Sequence, residues 1–534
     1  MKIITFSFSL SLLFCVSWHP SQHEGEAFIE CLQKHPQVPS SSPISHVIYT
    51  PHHSSFSSVL QAYIRNLRFN ESSTPKPRLI LAPSHVSHIQ AAIVCAKAYD
   101  FQIRIRSGGH DYDGVSYVSH YPNFFLLDMS NLRAITVTIE EESAWVQCGA
   151  TLGEVYYRIA EKSNVHAFPS GVCPTVGVGG HFSAGGYGNM MRKHGLSVDN
   201  IVDAQLIDVH GRLLDRKSMG EDLFWAITGG GGSSYGVVLS YKIELPRVPP
   251  AVTVFRVRRT YDKHFTDLIH RYQEVAPNFP DELFVRLTLE VVNGASGRKT
   301  NQATFRALYL GSSQELLSLA EESFPELGIQ QKDCIEMRWV ESVLFWYDYP
   351  TGTPIDALLS RVPPSLRYLK RKSDYVKKPI PKPGLEFIFK KMVELQFPML
   401  AFNPYGGQMA RIPPSEKPFP HRAGNLFKLQ YVTNWNEGGI EIANYYINLT
   451  RALHNHMTPF VSMNPRQAFL NYRDLDIGTH DDEDDGRDSY GLKYFMENYD
   501  RLVKIKTMVD PQDFFRNEQS IPPRTPGYYN LEVA

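Results

Sequence analysis

The sequence lacks an excess of charge of either sign. Its 534 residues include 54 Lys and Arg against 55 Asp and Glu, so the formal net charge is −1. Nucleic acids and anionic membrane surfaces attract proteins that carry a basic excess, and this chain has none. We therefore expect neither a nucleic-acid partner nor a membrane partner.

Long hydrophobic runs are absent beyond the N-terminus. No later segment approaches the roughly 18 apolar residues of a transmembrane helix. The one apolar stretch, Ile3 to Trp18, follows Lys2 and ends in polar and turn-forming residues. This arrangement is typical of a cleaved secretory signal peptide, which we place at residues 1–22, and the stretch is short for a membrane anchor. We expect the mature protein in the secretory pathway, destined for the cell exterior (apoplast) or the vacuole.

Cysteine is scarce, at six residues. Cys15 would leave with the signal peptide. The five that remain are an odd number, so at least one thiol is free or engaged in another kind of bond. Two Asn-x-Ser/Thr sequons, at Asn70 and Asn448, predict N-glycosylation and agree with export.

Length and composition predict a folded protein of more than one domain. Hydrophobic residues make up 43% and charged residues 20% of the chain, as in ordinary globular proteins. A single core usually stops growing near ~250–300 residues. Pro246, Pro249 and Pro250 separate the glycine-rich part of the chain from a stretch of alternating strand-like and helical segments. We place a domain boundary there, between residues 23–249 and 250–470. Residues 471–534 are expected to return to the first domain.

Hydrophobic periodicity predicts a mixture of helices and strands. A βαβ pattern begins near residue 78, with a strand at 79–81, helical spacing from Val86 to Ala96 and alternation at 101–105. Further segments follow the same two periods. We predict strands at 124–127, 144–147 and 283–288, and helices at 152–162, 316–324, 385–395 and 499–508.

Glycine is concentrated in two tracts, at 171–188 and 229–232. We interpret the apolar residues that flank each tract as strands, which argues against flexible linkers. Neither tract is a standard nucleotide fingerprint: GVGGHF at 177–182 begins like G-x-G-x-x-G but ends in Phe182, and no Gly-Lys-Ser/Thr loop exists. Backbone amides exposed by glycine can still hold a pyrophosphate.

Five ordered segments resemble the plant berberine bridge enzyme-like family of secreted flavoproteins. They are RSGGHDYDG at 106–114, GVCPTVGVGGH at 171–181, GEDLFWA at 220–226, FPHRAGN at 419–425 and NYRDLDIG at 471–478. The similarity extends from about Cys31 to Pro523. It implies an α+β fold: a vanillyl-alcohol-oxidase-type (PCMH-type) FAD-binding domain of two α+β subdomains, with its core at about 75–249, and a substrate domain of antiparallel sheet backed by helices.

The resemblance also implies how FAD would be held. His110 would be bonded to the flavin 8α-methyl carbon and Cys173 to ring carbon 6, since a neutral imidazole and a thiolate are nucleophiles suited to those electrophilic positions. Cys31 and Cys95 would form a disulfide, which leaves Cys148 and Cys334 as buried thiols.

Further positions are matched to the flavin. His181 would be a donor near the N1/C2 carbonyl, where it stabilises the charge of a reduced ring. Val176 matches a gate beside C4a, where a small side chain is associated with oxygen access. The other cofactor-binding positions implied are Arg106, Ser107, Gly108, Gly109, Asp111, Gly177, Gly179, Gly180, Tyr187 and Asn471.

Two departures from the family pattern concern the catalytic base. The alkaloid-cyclising members have a glutamate where this chain has Gln430, and many others have a tyrosine where it has Phe469. Lys428 matches the lysine that would activate that tyrosine. Tyr112 and Tyr187 match tyrosines on the substrate face, and they are either replacement bases or packing residues with satisfied hydroxyl groups.

Three activities stay open at this point. The favoured one is an oxidase that takes a hydride from a small alcohol, sugar or phenolic metabolite and passes the electrons to O2, giving H2O2. The second is oxidative cyclisation or desaturation of a specialised metabolite. The third is a redox-silent cycloaddition in which FAD is structural, with a storage or allergen-like role as its extreme form. We expect a monomer and no metal site.

Overall fold

The computed structural model describes residues 21–294, 297–480 and 487–524. The predicted signal peptide lies outside these ranges, except for its last two residues. Within the described part of the chain, no helix is both long and apolar enough to cross a membrane.

A four-stranded sheet develops from the predicted βαβ pattern. Its strands are β1 (Ile48–Tyr49), β2 (Ile80–Leu81), β3 (Gln102–Arg106) and β4 (Phe124–Asp128), in the order β1-β2-β4-β3. β4 runs parallel to both of its neighbours, and β1 is antiparallel to β2. All five residues of β4 are buried, as expected of a central parallel strand that is covered on both faces.

A five-stranded antiparallel sheet follows. It contains β5 (Ile135–Thr138), β6 (Ser143–Gln147), β7 (Ile201–Ile207), β8 (Leu213–Leu214) and β9 (Val237–Glu244), in the order β5-β6-β9-β7-β8. The prolines at 246–250 lie immediately after β9. The chain therefore leaves this sheet at the proline cluster.

A seven-stranded antiparallel sheet forms after the prolines. Its strands are β10 (Val252–Thr260), β11 (Leu283–Asn293), β12 (Lys299–Tyr309), β13 (Cys334–Met337), β14 (Tyr368–Val376), β15 (Met399–Pro404) and β16 (Phe427–Trp435), in the order β13-β10-β12-β11-β15-β16-β14.

The period of two assigns the side chains of this sheet to opposite faces. Leu287 of β11 and Leu429 of β16 lie in an apolar core with the helices. Their neighbours Arg286, Lys428 and Gln430 point to the other face. The seven-stranded sheet therefore presents cationic and polar groups toward the glycine-rich part of the chain.

Fifteen α-helices complete the described structure. They are α1 (Ser21–Lys34), α2 (Phe56–Gln61), α3 (Val86–Ala98), α4 (Leu152–Ala160), α5 (Val178–Ser183), α6 (Met191–His194), α7 (Arg216–Ile227), α8 (Phe265–Val275), α9 (Ser313–Ser323), α10 (Trp339–Trp346), α11 (Lys382–Leu395), α12 (Gln408–Arg411), α13 (Ile440–His456), α14 (Leu492–Phe495) and α15 (Asn498–Val509). Helices α8, α11 and α13 share the core of the seven-stranded sheet.

The interpretation of the residues beside the glycine tracts as strands was wrong in part. Residues 224–226 belong to helix α7, in the part that follows a kink at Gly220. The first tract follows helix α4 and itself contains α5 and α6. A short apolar run fits a buried helix as well as a strand, so periodicity could not separate the two.

The C-terminal segment packs back on the glycine-rich part of the chain. The ammonium group of Lys506 in α15 is fully buried and donates hydrogen bonds to the Ser234 carbonyl (2.8 Å) and to Asp510 (2.7 Å). The hydroxyl of Tyr235 donates to the Leu502 carbonyl. These contacts join α15 to the residues that follow the second glycine tract.

The predicted Cys31–Cys95 disulfide is confirmed, and it ties α1 to α3. Cys148 is a buried thiol as expected, whereas Cys334 is only half-buried because it lies on the edge strand β13. The sequon residues Asn70 and Asn448 are both exposed.

Candidate active site

A cavity of about 440 Å³ lies where the glycine tracts meet the seven-stranded sheet. Most residues predicted for the site line it: Ser107, Gly108, Gly109, His110, Asp111, Tyr112, Cys173, Val176, Gly177, Gly179, Gly180, His181, Tyr187, Gln430, Phe469 and Asn471. The fold thus brings together segments that are up to 364 residues apart, from Ser107 to Asn471. Two of the predicted residues, Arg106 and Lys428, are not among those lining the cavity.

The loop that carries His110 and the loop that carries Cys173 are in direct backbone contact. A Cβ atom on Gly108 would lie 2.2 Å from the Gly177 amide nitrogen, so neither position has room for a side chain. The Ser107 hydroxyl donates to the Cys148 carbonyl and accepts from the Gly179 amide at 3.3 Å. Because of this contact, the two predicted anchors face one cavity.

His110 is a neutral imidazole in this setting. Burial lowers the pKa of His110 to about 3, and the nearby Arg65 guanidinium adds to the effect. Its Nε2 atom lies 3.0 Å from the Thr175 hydroxyl. A neutral ring keeps one nitrogen lone pair for nucleophilic attack.

Cys173 is a thiol rather than a thiolate here. Burial raises its pKa, while the guanidinium groups of Arg286 and Arg371 act in the opposite direction. The two arginines therefore make the thiolate easier to form than burial alone would allow.

His181 has a defined tautomer. The Gly171 amide donates to its Nε2 atom at 3.1 Å, so that nitrogen must be unprotonated. Burial and the charge of Lys428 lower the pKa of His181 to about 3, which leaves a single proton on Nδ1. His181 can therefore donate one hydrogen bond, the role predicted for it.

Tyr187 sits at the centre of a polar chain. Its hydroxyl donates to the Asn403 side-chain oxygen at 2.5 Å and accepts from Arg286 Nη2 at 3.2 Å. Burial raises the pKa of Tyr187, and Arg286 partly opposes that rise. The ring is stacked beneath the Lys428 ammonium nitrogen, 3.4 Å from its centroid.

Lys428 is enclosed by aromatic rings. Besides Tyr187, its nitrogen lies 4.1 Å from the Phe469 ring centroid and 4.2 Å from that of Tyr472, and it has no hydrogen-bond partner in the described ranges. Burial, with a contribution from Arg286, holds the pKa of Lys428 well below its usual range. The phenol nearest to Lys428 is that of Tyr187, since position 469, where many family members have a tyrosine, is occupied by phenylalanine.

Tyr112 and Gln430 are hydrogen-bonded across the cavity. The Gln430 amide donates to the Tyr112 hydroxyl at 3.2 Å, and the Arg371 guanidinium carbon lies 5.6 Å from the Tyr112 ring centroid. Burial raises the pKa of Tyr112. Gln430 therefore orients a phenol rather than accepting a proton.

Three predicted residues have structural partners of their own. Arg106 is fully buried, forms an ion pair with Asp128 and donates to the Leu60 carbonyl, so it supports the loop from behind. Asp111 accepts two backbone hydrogen bonds of its own turn, from residues 113 and 115. Asn471 accepts from the Gly186 amide at 2.9 Å and donates to the Gly180 carbonyl at 3.1 Å, which clamps the first glycine tract.

Sequence reasoning missed several residues of the cavity wall. Arg371, Tyr472 and Arg473 line it. Arg473 is paired with Asp111 at 3.4 Å, whereas Arg286 and Arg371 form no ion pair with any carboxylate in the described part of the chain. Tyr472 and Arg473 belong to the motif at 471–478, so their position next to Asn471 could have indicated a place in the site. No sequence feature marked Arg371.

The residues present fit a flavin nucleotide. Gly180 is exposed, and nothing lies within 4 Å of the position that a Cβ atom would occupy. Such a backbone leaves room for a pyrophosphate to approach its amides. The neutral imidazole of His110 and the thiol of Cys173 line the same cavity. Two attachment points on one flavin ring require this arrangement.

Comparison with known proteins points the same way. Residues 77–216 match the FAD binding domain model, and residues 468–522 match the model named berberine and berberine like. Berberine bridge enzyme-like 8 from Arabidopsis thaliana is 55% identical over 97% of this chain and 99% of its own length.

Solved structures with the same fold include two relatives. BBE-like 28 from Arabidopsis thaliana superposes with a TM-score of 0.87 at 42% identity, over 94% of this chain and all of that one. The grass pollen allergen Phl p 4 superposes equally well, over 93% of this chain and 99% of its own. Its wild type, 41% identical, is described as a glucose dehydrogenase, and a variant with isoleucine changed to valine, 42% identical, as a glucose oxidase.

Proposed function

The chain belongs to the berberine bridge enzyme-like family of FAD-dependent oxidoreductases, and on that premise we propose that it is a secreted oxidase acting on a small plant metabolite. It takes a hydride from a carbon that bears a hydroxyl group, in an alcohol, a sugar or a phenolic, and O2 receives the electrons to give H2O2. The observation that carries this proposal is the Tyr187 hydroxyl, held in the cavity wall between Asn403 and Arg286.

His110 and Cys173 would hold the FAD covalently, and the glycine tracts its phosphates. When bound, FAD supplies the hydride acceptor of the reaction. The Nδ1–H of His181 is placed to donate to a negatively charged oxygen or nitrogen, the interaction that favours a reduced ring. Residues 23–249 and 471–534 would form the cofactor-binding part and residues 250–470 the substrate-binding part.

Tyr187 is the proposed base. To accept the substrate hydroxyl proton it must itself be ionised, and Arg286 favours the phenolate through its charge and through the hydrogen bond that it donates to the Tyr187 oxygen. Tyr112 is bonded to Gln430 and lies close to Arg371, and we assign it to substrate orientation.

Arg286 and Arg371 would bind oxygen atoms of the substrate. They lack a carboxylate partner in the described ranges, and they line the cavity together with Gln430 and the tyrosines. Guanidinium groups of this kind suit a substrate rich in hydroxyl groups or one that carries an anionic oxygen.

Oxygen as the electron acceptor is supported by Val176. This residue lines the cavity beside Cys173, and it matches the position where a small side chain is associated with oxygen access. In Phl p 4, one change from isoleucine to valine separates a protein described as a glucose dehydrogenase from one described as a glucose oxidase. Valine is the smaller residue and leaves more space.

Export is supported by the disulfide and by the two exposed sequon residues, Asn70 and Asn448. We place the mature protein outside the cell or in the vacuole.

A panel of sugars, alcohols and phenolics, followed for H2O2 release and for bleaching of the flavin absorbance under nitrogen, tests the proposal. We expect at least one compound to bleach the flavin and then release one H2O2 per product. If no compound bleaches it and two substrates are instead joined without H2O2, the protein is a cycloaddition catalyst. Gln430 and Phe469 would permit that chemistry, because neither accepts a proton.

A further inference from the structure

We propose that the substrate carries a carboxylate group at the end remote from the carbon that is oxidised, and that Arg371 binds this carboxylate. The inference rests on the proposed function, because it names the substrate class of the same cavity. It narrows the alcohols, sugars and phenolics considered above to hydroxy acids, and it gives a task to a residue that no sequence feature marked.

Arg371 is the middle one of three consecutive cations on strand β14. Lys370 and Lys372 point away from the cavity, and carboxylates neutralise both: Lys370 pairs with Asp474 at 2.8 Å and Lys372 with Asp476 at 3.1 Å. Arg371 lines the cavity and forms no ion pair with a carboxylate of the described residues. The fold thus neutralises the two lysines internally and leaves the arginine to an anion from outside.

The cavity wall carries an excess of positive charge. Asp111 is the only carboxylate among the described residues that line it, and it pairs with Arg473 at 3.4 Å. Arg286 and Arg371 stay without a counter-ion. The FAD phosphates are assigned to the glycine tracts, whereas Arg371 belongs to the seven-stranded sheet. A charge withdrawn from water is costly unless it is paired, so this part of the wall favours an anionic ligand over a neutral one.

Of the two unpaired arginines, Arg371 is the one that has no part in the proposed proton transfer. Arg286 donates from Nη2 to the hydroxyl of the base Tyr187. Arg371 is held by neutral acceptors only: Nη1 donates to the Thr433 carbonyl at 2.8 Å, and Nη2 donates to the Asn434 side-chain oxygen at 2.7 Å. A guanidinium has five N–H groups, so donors remain for a ligand, and arginine binds a carboxylate through two parallel hydrogen bonds.

Tyr112 provides a second donor beside Arg371. Its hydroxyl accepts a hydrogen bond from the Gln430 amide and donates to no acceptor within the described ranges. The Tyr112 ring centroid lies 5.6 Å from the Arg371 guanidinium carbon, and Gln430 adds no charge. One cationic and one neutral donor therefore lie close together. A carboxylate can accept from both, whereas a neutral hydroxyl group would leave the charge of Arg371 unpaired.

The distance between Arg371 and the base indicates the length of the substrate. Lys428 of β16 lies over the Tyr187 ring, and Val432, which pairs with Arg371 across the ladder, follows it by four residues on the same face. Four residues of a strand span about 13 Å at ~3.3 Å per residue. The side chains of Tyr187 and Arg371 thus approach the substrate from opposite ends, and several bonds separate its carboxylate from the oxidised carbon.

Binding of benzoate tests the charge preference without turnover. Benzoate and the neutral benzamide, which has the same shape, are titrated into the holoenzyme, and the change in flavin absorbance gives both dissociation constants. We expect benzoate to bind at least about tenfold more tightly, as hydrogen bonds to a charged group imply. Arg371→Gln should abolish this preference, and Arg371→Lys should keep part of it. Arg286→Gln is the matched control and should retain it.

A second variant leaves Arg371 intact. Gln430→Glu places a negative charge beside Tyr112, and it should weaken the binding of benzoate while sparing that of benzamide. This variant tests the inference even if Arg371→Gln does not fold. Turnover is then compared for 4-(hydroxymethyl)benzoate and 4-(hydroxymethyl)benzamide, and the acid should have the lower KM.

Equal affinities for benzoate and benzamide in the wild type overturn the inference. A preference that survives Arg371→Gln but is lost in Arg286→Gln overturns the assignment to Arg371. The proposed function fails in a different way. If benzoate binds as expected but no compound of the wider panel bleaches the flavin, the carboxylate site stands and the oxidation is wrong.

Discussion

Gly108 and Gly177 pack backbone against backbone. A Cβ atom on Gly177 would lie 2.1 Å from the Gly108 amide nitrogen, and one on Gly108 would lie 2.2 Å from that of Gly177. Real Cβ atoms do not approach nitrogen atoms so closely, so both loops must be glycine at this point. The contact is what places the loop of His110 next to the loop of Cys173.

Gly177→Ala should therefore destabilise the site. The added methyl group has to push two backbones apart, and overpacking of this kind costs about 1–3 kcal/mol. We expect a lower midpoint of thermal unfolding and a smaller fraction of molecules that retain flavin after denaturation. Gly180→Ala is the control for stability, because nothing lies within 4 Å of its Cβ position. Equal midpoints for the two variants would contradict the prediction.

Removing the two anchors should separate their contributions. His110→Ala and Cys173→Ala should each keep FAD through denaturation by means of the other bond and should turn over more slowly. The double variant should release all of its FAD when it is unfolded. The measurement is the flavin absorbance of the protein after acid precipitation. A yellow pellet from the double variant would show that the anchors lie elsewhere.

Tyr187→Phe should slow hydride transfer by about 10²–10⁴-fold, the usual contribution of a general base. The ring, and with it the contact to Lys428, is preserved, so the loss can be attributed to the hydroxyl. Anaerobic stopped-flow reduction of the flavin gives the rate. Tyr112→Phe, which removes the hydroxyl bonded to Gln430, should mainly weaken substrate binding. A larger loss of rate in the Tyr112 variant would reverse the two assignments.

Arg286→Gln should move the pH dependence of flavin reduction to higher pH. Burial raises the pKa of Tyr187, and Arg286 partly lowers it again. The base acts in its ionised form, so the rate increases with pH as the phenol loses its proton. Loss of the guanidinium raises the pKa further, and the rising part of the profile shifts upward. An unchanged profile would show that ionisation of Tyr187 does not limit the rate.

Val176→Leu should reduce the reaction with oxygen and spare the reaction with substrate. The larger side chain fills space at the cavity wall, at the position where a small side chain is associated with oxygen access. Reoxidation of the reduced enzyme by O2 should slow, and turnover with an artificial dye acceptor should be unchanged. Val176→Ala serves as the control and should keep the reaction with O2. If both variants react with O2 equally fast, the gate lies elsewhere.

The sequence alone was sufficient for the elements with strong periodicity and for the residues that stand inside motifs. The helices at Val86–Ala98 and Lys382–Leu395 and the strand at Leu283–Asn293 follow from the spacing of their apolar residues. The loops of His110, Cys173 and His181 were identified because their sequences resemble motifs of the berberine bridge enzyme-like family. Periodicity failed at residues 224–226, because a run of three apolar residues fits a helix as well as a strand.

The tertiary structure decided which side chains act on one another. Arg371 and Tyr472 carried no distinguishing pattern, and only the register of β14 beside β16 places Arg371 at the cavity while Lys370 is buried against Asp113 and Asp474. Lys428 was predicted as a site residue from the sequence. Its contact with the ring of Tyr187, about 240 residues away in the chain, depends on the tertiary structure. Residue types and their local spacing determine which segments form helices, strands and motif loops. Hydrogen bonds, pKa values and the shape of the cavity depend on residues from distant segments. Which of those residues become neighbours is decided by tertiary packing.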